Sequence, residues 1–495
     1  MTRLKLHRTY LTHLIAVVMI LHCMPVFGQF SDSHYFSREE LEEDLQDLVD
    51  RILDSHTDPF AFTPKEQFYE TVSATLAGLP DSATVAGFLP FVADVLNVLR
   101  DSHTCLDYGA LLSYQFAKKG LLMPLRIISS EDGLFVRKDR TDVLPEGARL
   151  LSINGHSADS LWQLVSRYAC IEGEAHLGRR RVTDAVFSIM TGFHVALNEK
   201  FLVDVMPVDS PDIYRYTYRP LDEKRWKAMR KQIDKEEGVE PVGLDFPESG
   251  IAHLKVETFA PDRSGRYGKT LRKSFQEINR KETETLIIDL RDNGGGSSTW
   301  VEYLYSFIDA KGYNTPHNII GRNSELSQSR YRGLNNRFTR LILQAFRGRD
   351  ENIRGMLSVY DSPYGVNDTI YFSQPYVQRQ KHVFTGKVCL LINGLTASAS
   401  VDFSNHFRRE NRGLTFGEAC FGPTTGTWGN PARHNLPNTD LPVFIATIRY
   451  NYDPSFRYET LPIQPDVFIP VNPAAIARGD DYPLQFLLDY LSKLP

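Results

Sequence analysis

Apolar residues at Leu41, Leu45, Leu48, Val49 and Ile52 recur at the spacing of one helical face, and Ser37 with Glu40 three residues on forms a capping box before them. The run Thr63-Pro64-Lys65-Glu66 opens a second helix, with Pro64 at its first position and Gly78 near its end. A third helix is expected from about Ser82 to Leu99, so residues 36 to about 100 read as helical. From about 115 to 208 the pattern shifts to short strands with turns, as in "LMPLRIISSEDGLFVRK" and "ARLLSINGHSADSLWQLV". The stretch 209–245 is polar and charged, which predicts a solvated helix or linker. Beyond it "SGIAHLKVETF", "TLIIDL", "KVCLLIN" and "LPVFIATIRY" are strand-like with helical stretches between them, the pattern of an α/β layer. Residues 311–380 read as a large insertion between two of those strands.

With 495 residues the chain is long enough for two or three domains. Its 42% hydrophobic and 24% charged content is that of a globular protein, and a net charge of -5 without a basic tail speaks against nucleic-acid binding. The N-terminus changes the expected compartment. Arg3, Lys5 and Arg8 precede the apolar "YLTHLIAVVMILHCMPVFG", and Val26 and Gly28 suit a cut before Gln29. Residues 1–28 therefore read as a cleaved secretory signal, with a retained anchor as the alternative. Removing Arg3, Lys5 and Arg8 lowers the charge from -5 by three, to -8. The expected location is the periplasm, the cell envelope or the exterior, and no later stretch is apolar enough to span a bilayer. Cys105, Cys170, Cys389 and Cys420 are scattered without metal-type spacing, so they read as core residues or at most one or two bridges. No metal or cofactor motif is visible.

Four segments could carry chemistry. In "IIDLRDNGGGSS" a buried strand runs into three glycines, which let backbone N–H groups face an anion or a developing oxyanion. A phosphate loop competes, but the lysine of a P-loop is absent, and a plain loop is the bland reading. In "LLINGLTASASVDFSNHF" an apolar strand meets a helix at small residues, so Ser398 would lie at a helix N-terminus where free N–H groups stabilise an alkoxide. Close packing of helix on sheet explains the same small residues. The segment is not a G-x-S-x-G elbow, which disfavours an α/β-hydrolase.

A nucleophilic serine needs a base. His406, on the same helix, would lie roughly 12 Å away at 1.5 Å per residue and cannot reach. No lysine occurs between Lys387 and Lys493. The base must come from far along the chain, and "LRDSHTCL" offers His103 with Ser102 beside it, although a lone histidine after a helix is commonly structural. In "RYETLPIQPDVFIP", Glu459 stands before a turn and a final strand, where a carboxylate is ordinarily just solvated.

Together the glycine loop, the serine loop, the distant D-x-H-T and the late E-x-x-x-x-x-P-D resemble the tail-specific and tricorn-core serine peptidases, across about 250–470 and around His103. The "INGHS" turn resembles the matching place in a PDZ domain, though a short α+β module of any kind fits as well. The resemblance implies an α/β multidomain protein: an N-terminal helical domain over 29–112 carrying Ser102 and His103, a PDZ-like module over 113–208, a charged linker over 209–245, and a ClpP/crotonase-like peptidase core over 246–495. The processing-peptidase branch pairs its serine with a lysine in an "FGKGT"-like stretch, but "GEACFGPTTGT" has Pro423 there. Ser102, His103 and Glu459 instead match the tricorn-like branch.

That match implies Ser398 as nucleophile and His103 as general base, oriented by Ser102 and Glu459, with an oxyanion hole from the N–H of Ala399 and of Gly294 or Gly295. The implied reaction is hydrolysis of peptide bonds in a peptide or protein substrate, with domain closure controlling activity. The chain departs from many relatives in having Val401-Asp402 where they carry a glutamate, and its PDZ-like part lacks a clear carboxylate-binding loop. A peptide- or lipid-binding protein is therefore the alternative, since retinoid-binding repeats resembling this family bind without proteolysis. A structural envelope protein would leave both loops without a purpose.

Overall fold

The computed structural model describes residues 34–117, 121–195, 200–236, 240–261, 266–309, 318–330, 336–346, 351–371, 380–452 and 458–493. The expected signal segment 1–28 lies outside them.

The three N-terminal helices form as their patterns predict, at Arg38–Ser55, Lys65–Ala77 and Val85–Asn97. Ser37 and Glu40 make the reciprocal capping box. Pro64 stands just before the second helix rather than at its first position and makes no capping hydrogen bond, and Thr84 caps the third through its side chain. Leu41, Leu45, Leu48 and Ile52 are buried in one cluster with Phe88, Leu89 and Val92 from the third helix. At about 25 cal/mol per Å² of apolar surface, such faces supply the main driving force of the domain.

Residues 121–218 build a mixed module on a sheet ordered Leu125–Ser130, Gly133–Asp139, Arg149–Ile153, Phe201–Met206 and Tyr214–Tyr218, with helices Ala158–Ser166 and His176–His194 against it. The "INGHS" turn joins strand to helix as expected, with Asn154 and Gly155 at positive φ and Ser157 capping the helix. The stretch 209–245 is more structured than a linker. It gives the module its last strand, an exposed helix at Glu223–Glu236 and the start of the strand Val242–Glu248.

The C-terminal core is a six-stranded sheet in the order Val242–Glu248, Ile251–Val256, Thr285–Asp289, Lys387–Ile392, Gly413–Gly417 and Val467–Phe468. All neighbours are parallel except the first pair. Its central strands are buried on both faces, which is why they read as unbroken apolar runs rather than alternating ones. Between residues 311 and 380, strands Asn318–Arg322 and Asn367–Tyr371 join a four-stranded sheet with Ile448–Asn451 and Gly426–Gly429. This part leans on the helical domain, where Asn367 donates to the Thr57 carbonyl at 2.8 Å. Among the described residues no helix is long and apolar enough to cross a membrane.

Candidate active site

Strands Thr285–Asp289 and Lys387–Ile392 are parallel neighbours with Asp289 opposite Leu391, so the loops leaving their C-terminal ends meet. Open α/β sheets place their sites at such an edge. Here the loops are bonded together. Ala397 N–H donates to the Asn293 carbonyl at 3.1 Å, Thr396 Oγ1 to the Leu290 carbonyl at 2.9 Å, and Asn393 Nδ2 to Asp292 Oδ1 at 2.8 Å. The glycine loop and the serine loop form one rigid platform.

Ser398 stands immediately before the helix Ala399–Arg409 with φ 52° and ψ -122°. A serine in that region is strained by about 1–3 kcal/mol, and strain of this kind collects at functional sites. The glycine loop determines how close the platform can be. A Cβ on Gly295 would lie 2.7 Å from the Ser398 Cβ and from the Ala397 carbonyl oxygen, and one on Gly296 would lie 2.2 Å from the Phe259 carbonyl carbon. Both glycines also have positive φ, so no other residue fits at either place.

Among the described residues the Ser398 hydroxyl and the N–H groups of Gly294 and Ala399 have no hydrogen-bond partner, whereas the Gly295 N–H is taken by Asn293 Oδ1 at 2.9 Å. The free donors beside the serine are thus those of Gly294 and Ala399, the latter at the positive end of the helix dipole.

His103 comes from the N-terminal domain and is fixed by strands of the C-terminal part. Cys105 and Leu106 pair with Phe444 and Val443, and Ala446 N–H donates to Thr104 Oγ1 at 3.1 Å. The His103 side chain is 17% exposed. Its Nδ1 lies 3.4 Å from Ser102 Oγ and 3.8 Å from Asp101 Oδ1, which leaves Nε2 as the nitrogen turned to other partners. Asp101 is buried between two imidazoles, with His56 Nε2 3.2 Å from its Oδ2. Burial alone would raise Asp101, but hydrogen bonds from His103 and His56 outweigh it and hold the carboxyl well below its usual range. Burial works against the charged form of His103, and the Asp101 carboxylate overcomes it, leaving the imidazole above its ordinary value.

The sequence-predicted set is brought together only in part. Ser102 and His103 are in contact, but Glu459 is exposed, accepts from Thr424 Oγ1 at 2.8 Å and makes no hydrogen bond to either of them among the described residues. The carboxylate on Ser102 is that of Glu172, which is fully buried. Its Oε2 accepts from the Ser102 N–H at 2.8 Å and from Ser102 Oγ at 2.7 Å, and its Oε1 accepts from Thr427 Oγ1 at 3.0 Å. Burial, then the Asp101 charge, push Glu172 above the usual carboxylate range. Asp101, His103 and Glu172 place donor atoms within 4.8 Å of one another, a spacing that would suit a metal ion. Their lone pairs are already engaged by His56, Thr104, Ser102 and Thr427, so the cluster is satisfied as a hydrogen-bond network.

The segment Cys420–Trp428 links the two halves. Phe421 N–H donates to the Thr396 carbonyl at 2.9 Å in the serine loop, and Thr427 holds Glu172. No hydrogen bond joins Ser398 to His103 among the described residues. Pro423, at the position where a lysine would mark the other branch, forms a backbone bridge with Pro462.

The model of Peptidase family S41 matches residues 250–469, the segment that carries both loops. No curated protein matches the chain. Among solved structures, mature CPAF aligns with a TM-score of 0.61 at 15% identity, covering 92% of this chain and 97% of that one. Mature CPAF complexed with lactacystin aligns with a TM-score of 0.62 at 14% identity, covering 92% and 98%. At such identities the likeness is one of fold, and it extends the mixed α/β multidomain arrangement over nearly the whole chain. The family match supports a serine peptidase.

Proposed function

We propose that this chain is a serine endopeptidase acting through Ser398 and His103 on peptide or protein substrates. One observation carries the reading: Ser398 is held at a strained strand-to-helix turn, against Gly295, and among the described residues the N–H groups of Gly294 and Ala399 have no hydrogen-bond partner. A hydroxyl so presented, next to two free donors, is arranged to attack a carbonyl whose oxygen becomes negative.

In the proposed reaction Ser398 Oγ forms a bond to the peptide carbonyl carbon while His103 Nε2 accepts the hydroxyl proton. Gly294 and Ala399 donate to the oxyanion. His103 then delivers the proton to the amine as the C–N bond breaks. Water hydrolyses the acyl-enzyme by the same steps, with His103 again as base. Asp101 stabilises the imidazolium, and Ser102 with a carboxylate orients the ring. The resemblance implies Glu459 for that carboxylate, whereas hydrogen bonding to Ser102 supports Glu172. Substrate binding would tighten the approach of His103 to Ser398. The module over 121–218 is proposed to act as a PDZ-like peptide guide, the core as a ClpP/crotonase-like scaffold, and the protein to be exported through its N-terminal segment.

Cleavage of a fluorophore-labelled unfolded protein tests the reading. Ser398→Ala and His103→Ala should each lower turnover by on the order of 10³-fold or more without loss of the fold. Undiminished cleavage by either variant would contradict it, and a folded wild type that binds peptides without cutting them would favour the binding alternative.

A further inference from the structure

The segments that carry His103 and Glu172 run side by side in opposite directions, and their contacts form a ladder. Arg100 Nε donates to the Gly173 carbonyl at 2.9 Å, and the Gly173 N–H returns a bond to the Arg100 carbonyl at 2.9 Å. Ser102 then meets Glu172, and at the far end Tyr108 Oη donates to the Tyr168 carbonyl at 2.8 Å. Between those rungs Cys105 meets Cys170, thiol to thiol, both reduced. Cys105 is half-buried and Cys170 buried. The pair lies two residues after His103 and two before Glu172, and neither thiol has a part in the proposed chemistry.

We propose that Cys105 and Cys170 form a reversible disulfide that locks the seam orienting His103, so that thiol redox state sets the activity of the site. This rests on the serine-peptidase reading for its effect on turnover, though not for the bond itself. The half-buried Cys105 meets the oxidant, a low-molecular-weight disulfide such as oxidised glutathione. Cys105 Sγ attacks one sulfur, the oxidant's S–S bond breaks, and one thiol leaves with the Cys105 proton. Cys170 Sγ then attacks the Cys105 sulfur of the mixed disulfide and expels the second thiol with its own proton. The two cysteines lose two electrons and the oxidant gains them.

Access sets this order, since Cys105 is half-buried and Cys170 buried. The two thiols are shifted in opposite directions: the hydrogen bond from Cys105 draws Cys170 below the usual thiol range despite its burial, while giving that bond, together with burial, pushes Cys105 up. The bond would close a long loop and add a covalent rung beside Ser102 and Glu172, reducing the freedom of the base segment in both the unfolded and the folded chain.

The test is incubation of the full chain with oxidised glutathione, followed by peptide mass spectrometry, thermal melting and turnover. The expected result is a linked peptide joining Cys105 and Cys170, a melting midpoint raised by several degrees, and turnover raised roughly threefold or more, all reversed by dithiothreitol and absent in Cys105→Ala and in Cys170→Ala. The inference is overturned if both thiols stay open to alkylation after oxidation, or if the linked protein melts and turns over like the reduced one. Ser398→Ala separates the two readings, because it should still form the bond and show the melting shift. If bond and shift appear while the wild type cleaves nothing in either state, the peptidase reading fails and the redox control of activity fails with it, leaving only a structural disulfide.

Discussion

Ser102 gives both of its donors to Glu172, the N–H at 2.8 Å and the hydroxyl at 2.7 Å, while its oxygen stands 3.4 Å from His103 Nδ1. A serine used in this way transmits the position of a buried carboxylate to an imidazole without adding a second charge against the ring. The consequence is a direct contrast. Glu172→Gln should lower turnover roughly ten- to hundredfold with little change in KM, whereas Glu459→Gln should change it less than about threefold. Steady-state kinetics on both variants checks this, and the reverse order would return the orienting role to Glu459.

The acidic limb of the pH–rate profile reports the base. Asp101 raises His103 above 6.5, and the base works only when deprotonated, so activity should fall as pH drops through a midpoint above 6.5. Asp101→Asn removes the charge that holds the proton and should move that midpoint down. In stability the signs differ. The raised His103 contributes stability that is full below 6.5 and fades as pH rises through its folded value. The depressed Asp101 contributes stability that is present above its unfolded value and is lost as pH falls through its folded one. Thermal melting across pH in the wild type and Asp101→Asn reads both.

Function and stability should oppose each other at Ser398. Its φ of 52° costs a serine but not a glycine, so Ser398→Gly should raise stability by about 1 kcal/mol while abolishing turnover. Denaturant unfolding measures the gain.

Gly295→Ala should lower stability instead of raising it. Its new Cβ would press on Ser398 and Ala397 at 2.7 Å, with strain on the order of 1–3 kcal/mol, and both turnover and stability should drop.

Behind the platform Arg291 joins Asp289 at 2.9 Å to Asp481 at 2.7 Å, with His253 Nε2 3.2 Å from the same Asp289. Arg291→Met would strand a fully buried Asp289 carboxylate, at a cost of about 3–5 kcal/mol in an unfolding titration.

What the sequence could and could not reveal follows from range. The capping box at Ser37, the glycine loop and the serine loop are local patterns, and each element appears where its pattern lies. The approach of the two loops was implied only by the family resemblance, since the pairing of Thr285–Asp289 with Lys387–Ile392 across a hundred residues is a property of the fold. Glu172 was not. It sits in "CIEGEAH" without periodicity or motif, and its partners Ser102 and Thr427 are 70 and 255 residues away. Asp101 was visible inside D-x-H-T, but its buried position between His56 and His103 is a property of packing alone. The extra strand at Tyr214–Tyr218 escaped because its exposed polar positions look like a linker until the neighbouring strand Phe201–Met206 pairs with it.

The central claim is that Ser398 is activated by His103. The most direct measurement is reaction of the folded protein with a fluorophosphonate probe, followed by peptide mass spectrometry to locate the adduct. The account predicts modification of Ser398 in the wild type and its disappearance in His103→Ala. No adduct on Ser398, or an adduct formed equally well without His103, would contradict it.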